Sequence, residues 1–148
     1  MEERFEIFTG LINKISRSIK KIKNQEMAGR GLRGVQVSCL YYLFCREGLT
    51  SSELCDRCEE DKATISRSLD YLEKNGYLES ISAKRYKAPL KLTEKGREVG
   101  KKIADKIGYV LDEISVGMNE EERTTFYRNL AVISNGLEAI CRRFDEKQ

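Results

Sequence analysis

The sequence predicts a mainly α-helical fold that contains one small β-hairpin, and three observations support this prediction. Apolar residues recur every three or four positions over long stretches, which is typical of amphipathic helices. Pro89 is the single proline in 148 residues, so little interrupts these helices. Short apolar segments at 77–81 and 89–92 flank a basic loop over 82–88, and this pattern predicts two strands joined by a hairpin.

The first half of the chain predicts three helices. The first covers residues 3–28, where basic side chains separate the apolar ones. Glycines then end it, and a second helix covers about 34–47. Thr50 and Glu53 have the spacing of a capping box, which opens a short third helix ending near Cys58.

Three further helices are predicted in the rest of the chain. Asp61 is a good N-cap for a fourth helix that continues to about Asn75, where a glycine follows. A fifth helix covers about 93–116. The sixth covers about 119–144 and begins with three glutamates at the positive end of its dipole.

The composition argues against an enzyme and against a disulfide framework. The chain has five cysteines and no histidine. Histidine is the commonest general base and zinc ligand, so we expect no catalytic residue, no metal site and no cofactor. No apolar run reaches the roughly 18 residues of a membrane span, and the charged N-terminus does not resemble a signal peptide. We therefore expect a cytoplasmic protein that does not contact a membrane.

Charge is unevenly distributed along the chain, although the net charge is only +3. Residues 79–102 contain 8 basic and 3 acidic side chains, whereas residues 105–125 contain 6 acidic and 2 basic ones. This contrast predicts one face that meets phosphates and another that does not. A solvated helix face would show a similar pattern.

The predicted helix after Asp61 carries the clearest functional signal. Ile65, Leu69 and Leu72 fall on one face and can pack on the third helix. The other face has short or basic side chains, which suit a helix that enters the major groove of DNA. An ordinary amphipathic helix with a solvated face is the alternative. The residues on this candidate DNA-contacting face are Ala63, Ser66, Arg67, Asp70 and Lys74.

The predicted hairpin carries three cations near its tip, Lys84, Arg85 and Lys87. Such cations can follow the phosphate backbone or enter the minor groove. A charged hairpin tip that only aids solubility is the alternative. A helix-turn-helix followed by a basic hairpin is more specific than either feature alone.

Four stretches, in order along the chain, resemble the DNA-binding region of the MarR family of winged helix-turn-helix transcription regulators. They are Leu49–Leu54, Asp61–Arg67, Leu72–Leu78 and Leu92–Gly96. The resemblance implies a homodimer whose terminal helices form the interface and which reads a roughly palindromic site. Its recognition helices would enter successive major grooves about 34–36 Å apart.

The resemblance also implies which residues touch DNA. Contacts are expected from the recognition-helix positions occupied here by Lys62, Thr64, Ser66 and Arg67. The wing of the family usually carries an Asp-x-Arg pattern, in which the aspartate orients an arginine in the minor groove. The wing of this chain reads Ser82–Lys87 and has no aspartate, so Arg85 lacks that orienting partner.

Cys55 and Cys58 form a C-x-x-C motif on the third helix. One interpretation is a redox switch or half of a metal site. The interpretation that we favour is that both are small apolar residues packed against the recognition helix. Peroxide-sensing members of the family carry a reactive cysteine in the first helix, and residues 3–28 contain none.

We therefore expect a single domain over residues 1–148, mainly α-helical with a small β-hairpin wing. The winged helix-turn-helix core covers about 34–92, and dimerisation helices cover about 3–28 and 93–144. The predicted function is a sequence-specific regulator, a repressor, that binds double-stranded DNA as a homodimer and is released by a small aromatic effector. Two alternatives remain: a thiol or metal sensor at the C-x-x-C motif with DNA binding as output, and a dimeric interaction module without DNA binding.

Overall fold

The computed structural model describes residues 2–32, 34–80 and 87–147 and is mainly helical, as the sequence predicts. Each predicted helix is present within a few residues of its expected bounds. A 3-10 turn follows the first helix. The six α-helices are α1 (Glu2–Met27), α2 (Val35–Cys45), α3 (Ser51–Cys58), α4 (Lys62–Lys74), α5 (Glu94–Ile114) and α6 (Glu120–Asp145).

The chain divides into two compact units, Met1–Tyr109 and Val110–Gln148. The first unit holds α1 to α4 and most of α5, and it contains the whole core region expected over about 34–92. The second unit holds the end of α5 together with α6. The single domain expected over residues 1–148 stays a prediction.

The core of the first unit is built by α2, α3, α4 and the first half of α5. Ile65, Leu69 and Leu72 are completely buried, which confirms the predicted apolar face of α4. Burying a leucine or isoleucine contributes about 1.5–3 kcal/mol, so these three side chains hold α4 firmly on its neighbours. Their buried partners include Leu40, Leu43, Leu54, Val99 and Ile103.

Local hydrogen bonds explain why the helices begin where they do. The Glu53 amide donates to Thr50 Oγ1 at 3.2 Å, and the Thr64 amide donates to Asp61 Oδ1 at 2.7 Å. Each bond satisfies a backbone N–H that has no partner within its own helix. Glu59 connects α3 to α4 in the left-handed conformation, with a φ of 53°. The turn between the two helices is therefore only three residues long.

The two predicted strands are reduced, in the residues that are described, to one antiparallel bridge between Leu78 and Leu92. The Glu79 amide donates to the Lys91 carbonyl at 3.0 Å beside this bridge. The prediction of strands over 77–81 and 89–92 was therefore wrong for the described residues, because a strand needs successive paired residues and only one pair is present there. The hairpin tip over 81–86 lies outside the described residues, so the wing stays a prediction.

Helix α6, in the second unit, has no buried residue along its 26 positions. Its apolar side chains are nevertheless spaced in a regular helical pattern, as are those of α1. Across the described ranges, none of the helices combines the length and the apolar character that crossing a bilayer requires.

Candidate nucleic-acid interface

Helix α4 turns its candidate DNA-contacting face to solvent. Thr64 and Ser66 are half-buried, and the remaining predicted residues of this helix are exposed: Lys62, Ala63, Arg67, Asp70 and Lys74. Ala63, Arg67, Asp70 and Lys74 lie on the side away from Ile65, Leu69 and Leu72, whereas Lys62 is exposed at the first residue of the helix, three positions before Ile65. Because the buried side holds the helix in place, the exposed side is a rigid surface of short and charged groups.

The first turn of α4 orders the side chain of Arg67. Arg67 Nη2 donates to Thr64 Oγ1 at 3.3 Å, and the Thr64 amide donates to Asp61 Oδ1. Hydrogen bonds from the Thr64 amide and hydroxyl, and the nearby Arg67 charge, hold the pKa of Asp61 below its usual range. Thr64 thus links the two charged groups, because its amide donates to the Asp61 carboxylate and its hydroxyl accepts from the Arg67 guanidinium.

Asp61 is a part of the site that sequence reasoning treated only as a cap. Its spacing with Thr64 and Arg67, three residues at each step, puts all three on one side of the first two turns. That spacing is the signal by which the orienting role of Asp61 could have been recognised.

The base of the predicted hairpin is tied to the C-terminal end of α4. The Thr93 hydroxyl donates to the Gly76 carbonyl at 2.6 Å, and Lys95 Nζ donates to the Asn75 carbonyl at 2.8 Å. The same Lys95 ammonium lies 4.3 Å from the centre of the Tyr77 ring. These bonds hold the end of α4, the hairpin base and the start of α5 as one framework.

The basic residues of the predicted wing divide into three groups. Lys84 and Arg85 lie outside the described residues, whereas Lys87 is described and exposed. Lys91, beside the Leu78–Leu92 bridge, is also exposed and was not among the predicted site residues. The Lys95 ammonium contacts the Asn75 carbonyl and the Tyr77 ring, so it stabilises the packing of α5 against the end of α4.

The two cysteines of the C-x-x-C motif, Cys55 and Cys58, are both half-buried and pack against the apolar core. This packing is what the favoured interpretation expects. Within the described ranges, no three side chains of the metal-binding types are grouped closely enough to hold an ion. A redox role at this motif stays a prediction.

Comparison with known proteins adds to this geometry. Residues 30–85 match the model of the MarR family. A MarR-family transcriptional regulator from Silicibacter pomeroyi is 25% identical with a TM-score of 0.73, and the match covers 83% of this chain and 84% of that one. No curated protein matches the sequence.

Two further solved structures are similar to this chain, and both were determined with DNA. A putative MarR-family regulator from Listeria monocytogenes, in complex with a 26mer DNA, is 25% identical with a TM-score of 0.74 over 85% of each chain. MepR of S. aureus, also bound to DNA, is 20% identical with a TM-score of 0.71 over 88% of this chain and 96% of that one, a likeness of fold. The family match over residues 30–85 and the shared fold show that this chain is similar to MarR-family regulators.

Proposed function

We propose that this protein is a transcription regulator that binds double-stranded DNA and reads its sequence with α4. The observation that carries the proposal is the exposed face of α4, on which Thr64 and Asp61 order the guanidinium of Arg67. The two similar proteins whose structures contain DNA support the same function.

The side chains of α4 suit a major groove, which is about 12 Å wide. Arg67 presents two parallel donors that fit the two acceptors on the edge of a guanine. Thr64 and Ser66 are placed to contact bases or phosphates, and Asp70 can accept from a cytosine amino group. Lys62 and Lys74, at the two ends of the helix, are placed for phosphates on either side of the groove. Ala63 is small enough for close approach to the bases.

The basic residues of the wing extend this surface along the phosphate backbone. Lys87 and Lys91 are exposed, and the predicted site also includes Lys84 and Arg85, which lie outside the described residues. Neutralising phosphates in this way releases counterions, so binding becomes steeply dependent on salt.

The second part of the proposal is a homodimer that binds a palindromic operator. In α6, six apolar residues follow one another at alternating intervals of four and three, which is the repeat of a helix that packs on another helix. Five of the six are between 41% and 63% exposed. The six are Phe126, Leu130, Ile133, Leu137, Ile140 and Phe144, and we call them the α6 seam.

Helix α1 presents a seam of the same kind. Its six apolar residues follow one another at alternating intervals of three and four, and they are Phe5, Phe8, Ile12, Ile15, Ile19 and Ile22. Of these, Phe5, Ile12 and Ile15 are exposed. Each Å² of apolar surface left in water forgoes about 25 cal/mol, so both seams favour association. A second copy of the chain is the proposed partner. Two-fold symmetry of the dimer then requires two half-sites about one helical turn apart.

The third part of the proposal is repression that a small aromatic effector relieves. A cavity of about 510 Å³ lies between the end of α2, the hairpin base and the start of α5. Its lining includes Phe44 and Arg97, an aromatic face and a cation suited to an aromatic carboxylate. Arg97 pairs with Glu47 at 3.1 Å on the exposed rim, a pair that a competing carboxylate can open.

The DNA proposal is tested by selecting sites from a random duplex library with the full-length protein. We expect an enriched palindrome with half-sites one helical turn apart, and about 5- to 150-fold weaker binding to it by Arg67→Ala, which loses one bidentate base contact. Arg128→Ala, on the exposed surface of α6, is the matched control and should bind like the unaltered protein. A library that shows no enriched motif would contradict sequence-specific regulation.

The effector proposal is tested with benzoate as the probe. Benzoate should raise the melting temperature of the protein and weaken its binding to the selected DNA, and Arg97→Ala should remove both effects. Equal responses of Arg97→Ala and the unaltered protein would rule out this cavity as the effector site.

A further inference from the structure

Negative charge is concentrated in the turn before α4, at the end of the helix that the proposed function directs into the major groove. Glu59, Glu60 and Asp61 follow one another there, and the side chains of Glu59 and Asp61 are exposed. In a helix-turn-helix the N-terminal residues of the second helix contact base edges, so its first turn lies between the two phosphate backbones. Carboxylates at this position repel phosphates. The turn therefore opposes the binding of DNA of every sequence.

The cap of α4 does not require the charge of Asp61. Asp61 Oδ1 accepts from the Thr64 amide at 2.7 Å, and the oxygen of an asparagine, serine or threonine can accept the same bond. Asn119 caps α6 in this way, since its Oδ1 accepts from the Glu122 amide at 2.9 Å. The dipole of α4 favours an anion at its start, which affects stability and not the choice of DNA. Capping alone therefore does not account for the carboxylate charge.

The charge of Asp61 acts on Arg67, the residue that carries the proposed base contact. Thr64 lies between the two, because its amide donates to Asp61 and its hydroxyl oxygen accepts from Arg67 Nη2 at 3.3 Å. The bond from the Thr64 amide and, more weakly, the positive charge of Arg67 hold the pKa of Asp61 below its usual range. Arg67 is exposed, so without these contacts its long side chain would sample many rotamers. Thr64 and Asp61 therefore restrain the guanidinium near the first turn of α4.

An unrestrained arginine in a major groove has two kinds of partner. A guanine edge presents two acceptors at one position of the sequence, whereas phosphates line the groove at every position. A phosphate contact adds affinity for all sequences alike, so it lowers the ratio of specific to non-specific binding. A carboxylate beside the guanidinium disfavours the phosphate contact, because the two anions repel each other. The guanine edge carries no net charge and is not repelled in this way.

We propose that Asp61 and Thr64 determine specificity, by holding the Arg67 guanidinium for a guanine edge and keeping it off the phosphate backbone. Asp61 supplies the repulsion, and Thr64 supplies the link to Arg67. Specificity is then gained by weakening the binding of the wrong partner, which is DNA of arbitrary sequence. Both are positioning residues, since they act through Arg67. Their role rests on the proposed function, because Arg67 has to reach a base.

The repulsion is tested with Asp61→Asn, which keeps an oxygen for the Thr64 amide and removes the charge. The affinity of the full-length protein for a duplex of random sequence is measured over a series of salt concentrations. We expect the variant to bind this duplex more tightly, with a slope of log affinity against log salt that is steeper by about one, as for one added phosphate contact. A role in stability alone predicts equal or weaker binding to every duplex.

Glu120→Gln is the matched control for net charge, because Glu120 is an exposed acidic residue in the first turn of α6. This variant should bind the random duplex like the unaltered protein. No gain in affinity for Asp61→Asn, or an equal gain for Glu120→Gln, would overturn the proposal.

The link is tested by the base preference of Thr64→Val, which keeps the branched shape of threonine and loses the hydroxyl. In selections from a random library, the unaltered protein should enrich a guanine at a position where Arg67→Ala does not. Thr64→Val should lose part of the roughly 5- to 150-fold preference that a bidentate contact provides at that position. Thr64→Ser keeps a hydroxyl and should retain the preference. An unchanged preference in Thr64→Val, or an equal loss in Thr64→Ser, would contradict the link.

The role of Asp61 and Thr64 can fail while the proposed function stands. A selected palindrome that depends on Arg67, together with no gain for Asp61→Asn and no loss for Thr64→Val, would refute that role alone. An unaltered protein that selects no motif would refute sequence-specific regulation, and the specificity role would fall with it.

Discussion

Replacing Gly96 by alanine tests how the framework behind α4 is built. Gly96 lies in the first turn of α5, and a Cβ added there would be 2.0 Å from the Tyr77 carbonyl oxygen and 3.0 Å from its carbon. Ordinary van der Waals contact begins at 3.4 Å. The two backbones would therefore have to separate by about 1.4 Å (3.4 minus 2.0), a shift that a close-packed interior resists.

Tyr77 has little freedom to make this shift. Its amide donates to the Leu72 carbonyl at 2.8 Å, and its carbonyl accepts from the Thr93 amide at 3.1 Å. Its ring is buried and lies under the Lys95 ammonium. Overpacking of this kind costs about 1–3 kcal/mol, from which the higher helix propensity of alanine recovers about 0.5–1 kcal/mol.

The free energy of unfolding should fall accordingly in Gly96→Ala, and we expect a melting temperature several degrees lower, at about 2–4 °C per kcal/mol. Gly108→Ala is the matched control in the same helix, since no atom lies within 4 Å of its added Cβ. This control should be stabilised by up to about 1 kcal/mol. Circular dichroism during thermal and urea unfolding measures both. Equal stability of the two variants would refute the close approach of Gly96 to Tyr77.

Three further predictions concern the dimer, the cap of α4 and salt. Leu137→Asp, in the α6 seam, should be a monomer by light scattering, whereas Val132→Asp, outside the seam, should remain a dimer. A Leu137→Asp variant that stays dimeric would contradict the proposal that the α6 seam forms the dimer interface. Because the pKa of Asp61 is lowered from its ordinary value of 3.8, its ionised carboxylate stabilises the folded state above pH 3.8. This stabilisation is lost as the pH falls below 3.8. The Thr64 amide signal in NMR should therefore change below pH 3.8, and a midpoint at or above 3.8 would argue against the bond. Lys91→Ala should reduce the slope of log affinity against log salt by about one, and an unchanged slope would exclude a phosphate contact.

Much of the fold follows from short-range patterns in the sequence. Thr50 and Asp61 begin α3 and α4 because each side chain accepts from an amide only three residues away. Ile65 and Leu69 are buried because a period near 3.6 places them on one side of α4. The same period predicted the exposed face of α4, including Arg67. The hydrogen bond from Arg67 to Thr64 spans only three residues, so short-range spacing also predicts this contact.

The strands of the wing were predicted less well. The Leu78–Leu92 bridge depends on pairing between segments about 14 residues apart, and alternation of apolar residues does not say how many pairs will form. In the described part the hairpin base is held by a few backbone bonds, such as those from the Glu79 amide to the Lys91 carbonyl and from the Thr93 amide to the Tyr77 carbonyl.

The sequence by itself determined the helices, their caps and the two faces of α4, because these depend on neighbours within one or two turns. Only the tertiary structure decided that Gly96 touches the Tyr77 backbone. These two residues lie 19 positions apart in sequence and meet only after the start of α5 has packed on the segment that follows α4.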